Sequence, residues 1–262
     1  MRSHITLKAS LLQNILLMNL QALIFDVDGT LANTEDGHRV AFNRAFSQQG
    51  LDWHWSVELY EELLTVSGGK ERIKYYIDRD RPSLPPIDNL SDFIIELHQL
   101  KNQYYQALLQ QGAIPLRPGV KRLIIEAKQK LRLAIATTSA LPNAMMLLQK
   151  NLDPNWFEVI AAGDIVPRKK PAPDIYHYVL EQMNLAEDNC LAIEDSQHGL
   201  QAATGANLKT IVTVNNYTQK QNFDEATLVV NHLGEPNNPT RFIKGKIADT
   251  DYITLDTIYS LF

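Results

Sequence analysis

The order of apolar and polar positions divides this chain into two kinds of stretch. Ala22 to Phe25 is an unbroken apolar run followed by a polar turn, and it reads as a strand buried on both faces. From Thr34 the pattern turns helical. Apolar positions at Val40, Phe42, Ala45 and Phe46 run on to Gly50, which is placed as a C-cap. A second helix is predicted from Val57 to Val66, with Ser56 as its N-cap. Ser67 to Arg72 reads as a loop leading into a helix around Ile73 to Ile77. Arg81 to Pro86 is an irregular connection, and Phe93 to Gln111 is a long amphipathic helix ended by Gly112.

Prolines and a glycine from Pro115 to Gly119 then punctuate the chain, and strand alternates with helix beyond them. Strands are predicted at Leu131 to Ala136, Glu158 to Ala162, Cys190 to Ile193, Thr210 to Val214 and Leu228 to Val230. Helices are predicted at Pro142 to Leu152, Asp174 to Asn184 and Gly199 to Thr204. Such alternation implies an α/β fold with a Rossmann-like parallel sheet and right-handed crossovers. The first strand belongs with this group, so an all-helical cap of roughly eighty residues is inserted after it. The predicted division is a leader at 1–20, a core at 21–33 and 116–262, and a helical cap at 34–115. The tail, Asn231 to Phe262, regains apolar character near Tyr252 and is expected to pack on the core.

Composition narrows the picture only a little. The 262 residues are 45% hydrophobic, which supplies a sizeable core. A net charge of -5 argues against nonspecific nucleic-acid binding, although a few local cations can still receive a small anion. The single cysteine, Cys190, lies in an apolar run and reads as a small core residue. The apolar stretch from Leu11 to Leu20 is interrupted by Gln13, Asn14 and Asn19, far short of a membrane span. Arg2 and Lys8 precede it without a small-residue cleavage site, so a frayed leader is expected there. A start at Met18 would leave the first strand intact.

The chemistry collects at strand ends. Asp26 and Asp28 follow the first strand and, in extended backbone, point the same way while Val27 points oppositely. Carboxylates that close repel unless one is protonated or a cation lies between them, and a hard divalent ion, Mg2+, is the simplest resolution. An Asp-rich turn is the plainer alternative. Thr137, Thr138 and Ser139 place hydroxyls where the second strand should stop. Lys170 sits in the restricted loop Lys169 to Asp174, and Glu194 and Asp195 follow the strand at Leu191. Singly, these could be a strand threonine, a solvated lysine and turn or cap carboxylates. Together, at one edge of a parallel sheet, they suit phosphoryl transfer.

These motifs, in this order, resemble a haloacid-dehalogenase superfamily phosphatase of the β-phosphoglucomutase-like branch. The resemblance implies that Asp26 is the nucleophile and that Asp28 is general acid and then base. It implies that Thr137 and Lys170 hold the transferring phosphoryl group. It assigns Mg2+ to Asp26, the backbone carbonyl of Asp28, and Asp195, with Glu194 close by. A narrower similarity is to the CbbY type. It rests on Asp26 to Ala32, His38 and Arg39, Ala41 to Asn43, Trp53 to Trp55, Ser67 to Arg72, Lys169 to Asp174, and His232 to Pro236. That type implies hydrolysis of xylulose 1,5-bisphosphate, a Rubisco inhibitor, to xylulose 5-phosphate and phosphate.

A bisphosphate carries a second phosphate, and Lys70, Arg72 and the amides of Gly68 and Gly69 are expected to bind it. Asn33 stands where related enzymes often carry an acid that would meet sugar hydroxyls. His38 either orients Asp28 or lies on a helix surface. Trp53 and Trp55 read as cap core rather than a sugar platform. The expected partner is a small phosphorylated sugar, with no nucleic acid or membrane, for a cytoplasmic monomer or one housed with Rubisco. A sugar-phosphate mutase and a non-catalytic phospholigand-binding protein are the competing readings. The cap loop speaks against the first, and the full set of motif residues against the second.

Overall fold

A computed structural model describes residues 20–245, 247 and 250–262. The expected leader at 1–20 lies almost wholly outside them. Seven strands form one sheet: β1 (Ala22–Phe25), β2 (Arg132–Thr137), β3 (Val159–Ala162), β4 (Cys190–Glu194), β5 (Lys209–Thr213), β6 (Leu228–Val230) and β7 (Phe242–Lys244). Their order is β3-β2-β1-β4-β5-β6-β7. All neighbours are parallel except β6 and β7.

Strand periodicity builds two cores. Leu23 and Phe25 of β1 face one side with Leu133, Ile135, Leu191 and Ile193. Ala22 and Ile24 face the other with Ala134, Ala136, Cys190 and Ala192. Helices α5 (Val120–Ala127), α6 (Leu141–Asn151) and α9 (Leu255–Tyr259) cover the first face. Helices α7 (Asp174–Met183) and α8 (Gln197–Gly205) cover the second. A sheet sandwiched this way needs apolar residues at every central position, which is why β1 reads as an unbroken run. The chain leaves β1 towards β2 and β3, then returns to β1's other side with β4. The crevice outside the strand ends therefore opens at β1, at the switch point of the sheet.

Between β1 and β2 the chain forms α1 (Glu35–Gln48), α2 (Val57–Leu63), α3 (Gly69–Asp80) and α4 (Leu90–Gln110). These share an apolar cluster of their own around Phe42, Phe46, Trp55, Tyr60 and Leu97. Trp55 meets Phe42 at 4.6 Å and Phe46 at 4.9 Å between ring centroids, so both tryptophans at 53 and 55 are interior packing residues. Ser56 caps α2, its hydroxyl accepting from Leu59 N at 3.2 Å. The two crossings into and out of this helical unit run side by side. Ala32 bridges Leu116 in antiparallel sense, and Arg117 N donates to Leu31 O at 2.8 Å.

Three details differ from the sequence reading. The helix expected at Ile73 begins at Gly69, so Lys70, Glu71 and Arg72 occupy its first turn rather than a loop. Helix α5 went unread because the Pro-Gly signals before it dominate the window. Strand β7 is a three-residue antiparallel edge, too short to show a period. Cys190 is fully buried, and Ile253, Leu255 and Ile258 bring the tail onto the core as expected. Among the described residues, no helix is long and apolar enough to cross a membrane.

Candidate active site

The end of β1 sets the site. Val27 is buried in the core, while Asp26 and Asp28 both line a crevice of about 440 Å³ between the sheet edge and the four inserted helices. The chain then turns at once, with Leu31 N donating to Val27 O and Gly29 N to Ala32 O. Gly29 has φ +82°, and a Cβ there would fall 2.1 Å from the Asp195 carboxylate. Only glycine allows both the turn and that close approach.

Beneath Asp26 lies a buried ionic group. Lys170 Nζ donates to Asp26 Oδ1 at 2.8 Å, Glu194 Oε1 at 2.6 Å and Ala136 O at 2.8 Å. These three bonds use all the protons of an ammonium. Burial pushes the Asp26 carboxyl up to about 7. Lys170 opposes that shift, and the negative charges of Glu194 and Asp28 add to it. Asp195 is raised well above the carboxylate range, first by burial and then by Glu35, Asp26 and Glu194. Asn215 Nδ2 donates to both Asp195 (2.8 Å) and Glu35 (2.5 Å).

Oxygen atoms of Asp26, Glu194 and Asp195 lie within 4.8 Å of one another, all buried. Among the described residues, Glu194 Oε2 has no hydrogen-bond partner. Three carboxylates against one ammonium leave excess negative charge, and an all-oxygen donor set of this kind fits a hard divalent cation.

Asp28 belongs to a second chain of contacts. Lys101 Nζ lies 2.8 Å from His38 Nδ1, and His38 Nε2 lies 2.9 Å from Asp28 Oδ1. Asp28, held as a carboxylate, can only accept, so Nε2 of the neutral ring carries the proton and Nδ1 accepts from Lys101. Burial holds His38 down to about 4, helped by the Lys101 charge. Burial also lowers Lys101 to about 7. For Asp28, burial acts upward but is outweighed by His38, Thr34 and Ser139, leaving the carboxyl well below its ordinary range. Thr137 Oγ1 reaches Asp28 Oδ2 at 3.4 Å and accepts from Ser139 N at 3.1 Å.

Residues 23–213 match the haloacid dehalogenase-like hydrolase family. The chain belongs to it. Protein CbbY of Cupriavidus necator is 46% identical over 224 residues, covering 84% of this chain and 88% of that protein. The crystal structure of CbbY from Rhodobacter sphaeroides in complex with phosphate superposes with a TM-score of 0.77. It is 43% identical and covers 81% of this chain and 94% of that one. A mutant of the same protein, in complex with xylulose-(1,5)bisphosphate, matches with a TM-score of 0.77 at 42% identity over the same shares. This chain is accordingly an enzyme, a haloacid dehalogenase-type phosphatase with CbbY relatives.

The helical unit supplies the opposite wall of this phosphatase crevice. Arg72 is oriented by its own unit, donating to Leu63 O, Tyr60 Oη and Val66 O at 3.0 to 3.1 Å. Lys70 reaches across to Asp164 at 2.8 Å, and Lys169 reaches back to Glu71 at 2.8 Å. Ser67 Oγ meets His198 Nδ1 at 3.2 Å.

Of the residues singled out from sequence, Asp26, Asp28, His38, Gly68, Gly69, Lys70, Arg72, Thr138, Ser139, Lys170 and Asp195 line the crevice. Thr137 and Glu194 lie buried just beneath it. Asn33 is not brought in: it is exposed and stands outside the lining, while Glu35 turns inward beside Asp195. His38 is buried and bonded to Asp28 rather than on a helix surface. Sequence reasoning missed Lys101, Glu35, Asn215, Arg117 and Tyr176. Only Glu35 had a signal, as an acid at the first turn of a helix beside the hinge.

Proposed function

We propose that this phosphatase hydrolyses xylulose 1,5-bisphosphate to xylulose 5-phosphate and phosphate, through an aspartyl phosphate on Asp26. The observation that carries the reading is the two-sided crevice. A nucleophile–acid pair lies on the sheet edge, Lys70 and Arg72 face it from the helical unit, and Lys169 of the core loop reaches toward them within the same cavity. One wall suits the reacting phosphate and the other a second phosphate that does not react. The CbbY relative seen with xylulose-(1,5)bisphosphate supports this choice of sugar.

In the first step an Asp26 carboxylate oxygen attacks phosphorus, and the bond from phosphorus to the sugar oxygen breaks. Asp28 gives its proton to that oxygen. An arriving phosphate places negative charge beside Asp28, which favours the protonated, donating form. His38 holds the Asp28 carboxyl in place from Nε2. In the second step Asp28, now a carboxylate, takes a proton from water. The water oxygen attacks phosphorus and frees Asp26 and inorganic phosphate.

Lys170, bonded to Asp26, Glu194 and Ala136 O, orients Asp26 and offsets charge at the transferring phosphoryl group. Asp26, Asp195 and the Asp28 carbonyl, with Glu194 adjacent, would hold Mg2+, which supplies charge neutralisation for the phosphoryl group. The helical unit at 34–115 acts as a cap that excludes water until substrate is seated.

The test is phosphate release with Mg2+ from xylulose 1,5-bisphosphate, ribulose 1,5-bisphosphate and β-glucose 1-phosphate. A strong preference for the first is expected. Glucose phosphate interconversion without release would instead indicate a mutase. Asp26→Asn should abolish turnover with the fold retained, and normal release from it would refute the covalent route.

A further inference from the structure

Glu194 is gripped from two sides by residues with no part in the mechanism above. Its carboxylate is almost wholly buried, with 1% of the residue exposed. Oε1 accepts from Lys170 Nζ at 2.6 Å and also from the hydroxyl of Tyr176. Tyr176 is fully buried on α7 among the apolar side chains that cover the sheet, and the Lys170 ammonium lies 5.3 Å from its ring centroid. The other oxygen, Oε2, lies against Gly199 of α8, where a Cβ would come within 1.9 Å of it. Among the described residues, Oε2 has no hydrogen-bond partner.

A carboxylate can rotate about its last bond, and a long ammonium stem can follow it. Here neither has freedom. Tyr176 selects which Glu194 oxygen faces Lys170, and Gly199 leaves room for the other. With Glu194 Oε1 and Ala136 O taking two of its protons, Lys170 points the third at Asp26 Oδ1, 2.8 Å away.

We propose that Tyr176 is a positioning residue for the nucleophile, acting through Glu194 and Lys170 on Asp26. It touches neither substrate nor the reacting atoms. The inference rests on the reading of Asp26 as nucleophile, and it adds a residue in the layer behind the ionic group. A hydroxyl donating to a buried carboxylate is a charge-assisted bond, stronger than a neutral one. Without it, Glu194 samples orientations in which Lys170 is drawn off Asp26.

Tyr176→Phe keeps the ring and its packing and removes only this donor. Gly199→Ala perturbs the same carboxylate from the opposite side while raising helix propensity. Each variant is compared with wild type by phosphate release and by thermal melting. Each is also compared by 19F NMR titration with beryllium fluoride and Mg2+, which adds to a carboxylate nucleophile without turnover.

The expected result is a fall in kcat of about ten-fold or more, the scale of a lost charged hydrogen bond. Beryllium fluoride affinity should weaken in parallel, with KM within about two-fold and the melting point of Tyr176→Phe lowered by only a few degrees, the cost of one buried hydrogen bond. Wild-type kcat and adduct affinity in either variant would overturn the proposal. So would a lowered melting point with unchanged kcat per folded molecule, which marks a purely structural residue. A wild-type protein that neither forms the adduct nor releases phosphate would instead overturn the nucleophile reading, and this inference with it.

Discussion

Arg117 offers the sharpest test of the architecture, because its side chain is a buried cation held almost entirely by backbone. Nη1 donates to Gly29 O and to Thr213 O (2.7 Å), and Nη2 donates to Val214 O and Asn231 O, both at 2.6 Å. One guanidinium thus joins the turn after Asp28, the end of β5 and the loop after β6, at the point where the chain returns from the cap. Burial lowers its pKa, opposed by the charges of Asp195 and Glu35. Arg117→Met would leave four carbonyls without their donor. An unsatisfied buried acceptor costs about 1–3 kcal/mol, and Asn231 O, only part-buried, can turn to water. Three acceptors at the lower half of that range give about 4 kcal/mol, a large share of the roughly 5–15 kcal/mol that holds a domain folded. Arg117→Lys keeps the charge but has fewer protons and a different reach, and should lose about half as much. Urea denaturation followed by far-UV circular dichroism measures both. A change within about 0.5 kcal/mol for Arg117→Met, the size of an ordinary surface substitution, would refute the reasoning.

Other consequences follow from the cap contacts and the core. Lys70→Ala should raise KM for a bisphosphate far more than for a monophosphate, and equal losses on both would exclude Lys70 from a second-phosphate site. Hydrogen bonds from Lys70 and Lys169 hold the Asp164 carboxyl down to about 2, below its ordinary 3.8. That depression stabilises the folded form above the ordinary value and is lost as pH falls towards 2. With Asp164 62% exposed, the screened contribution is about 1 kcal/mol or less. The stability gap between wild type and Asp164→Asn should therefore be flat from about pH 5 to 8 and close below about pH 4. A gap that widens on acidification would contradict the pairing. Burial pushes the Cys190 thiol up to about 12, so native protein at neutral pH should resist iodoacetamide until denatured. Rapid stoichiometric labelling of the folded chain would show that β4 is not packed as described.

Local periodicity carried most of the core. β1 announced itself because a strand covered on both faces cannot afford a polar position, and the carboxylates beyond it had to emerge where such strands end. The order of Asp26, Thr137 and Glu194 was legible for the same reason, each at the end of an apolar run of the sheet, and Lys170 was legible from the proline-restricted loop that leads into a helix. What periodicity could not carry was contact across long sequence separations. Lys101 meets His38 from 63 residues away, Arg117 meets Gly29 from 88, and Tyr176 meets Glu194 from a neighbouring helix. Each reads in isolation as an ordinary helix or loop residue. Asn33 and Glu35 show the limit most directly: both are polar residues beside the hinge, and the place of Glu35 in the first turn of a helix does not say which of the two turns inward. Only the packing of β4 and the loop at Asn215 against the hinge turns Glu35 inward and leaves Asn33 in water. The sequence by itself determined the sheet and the chemistry at its edge, because those follow from local pattern. The tertiary structure decided which distant side chains orient that chemistry, because a buried charge takes its partners from whatever the fold brings within hydrogen-bonding reach.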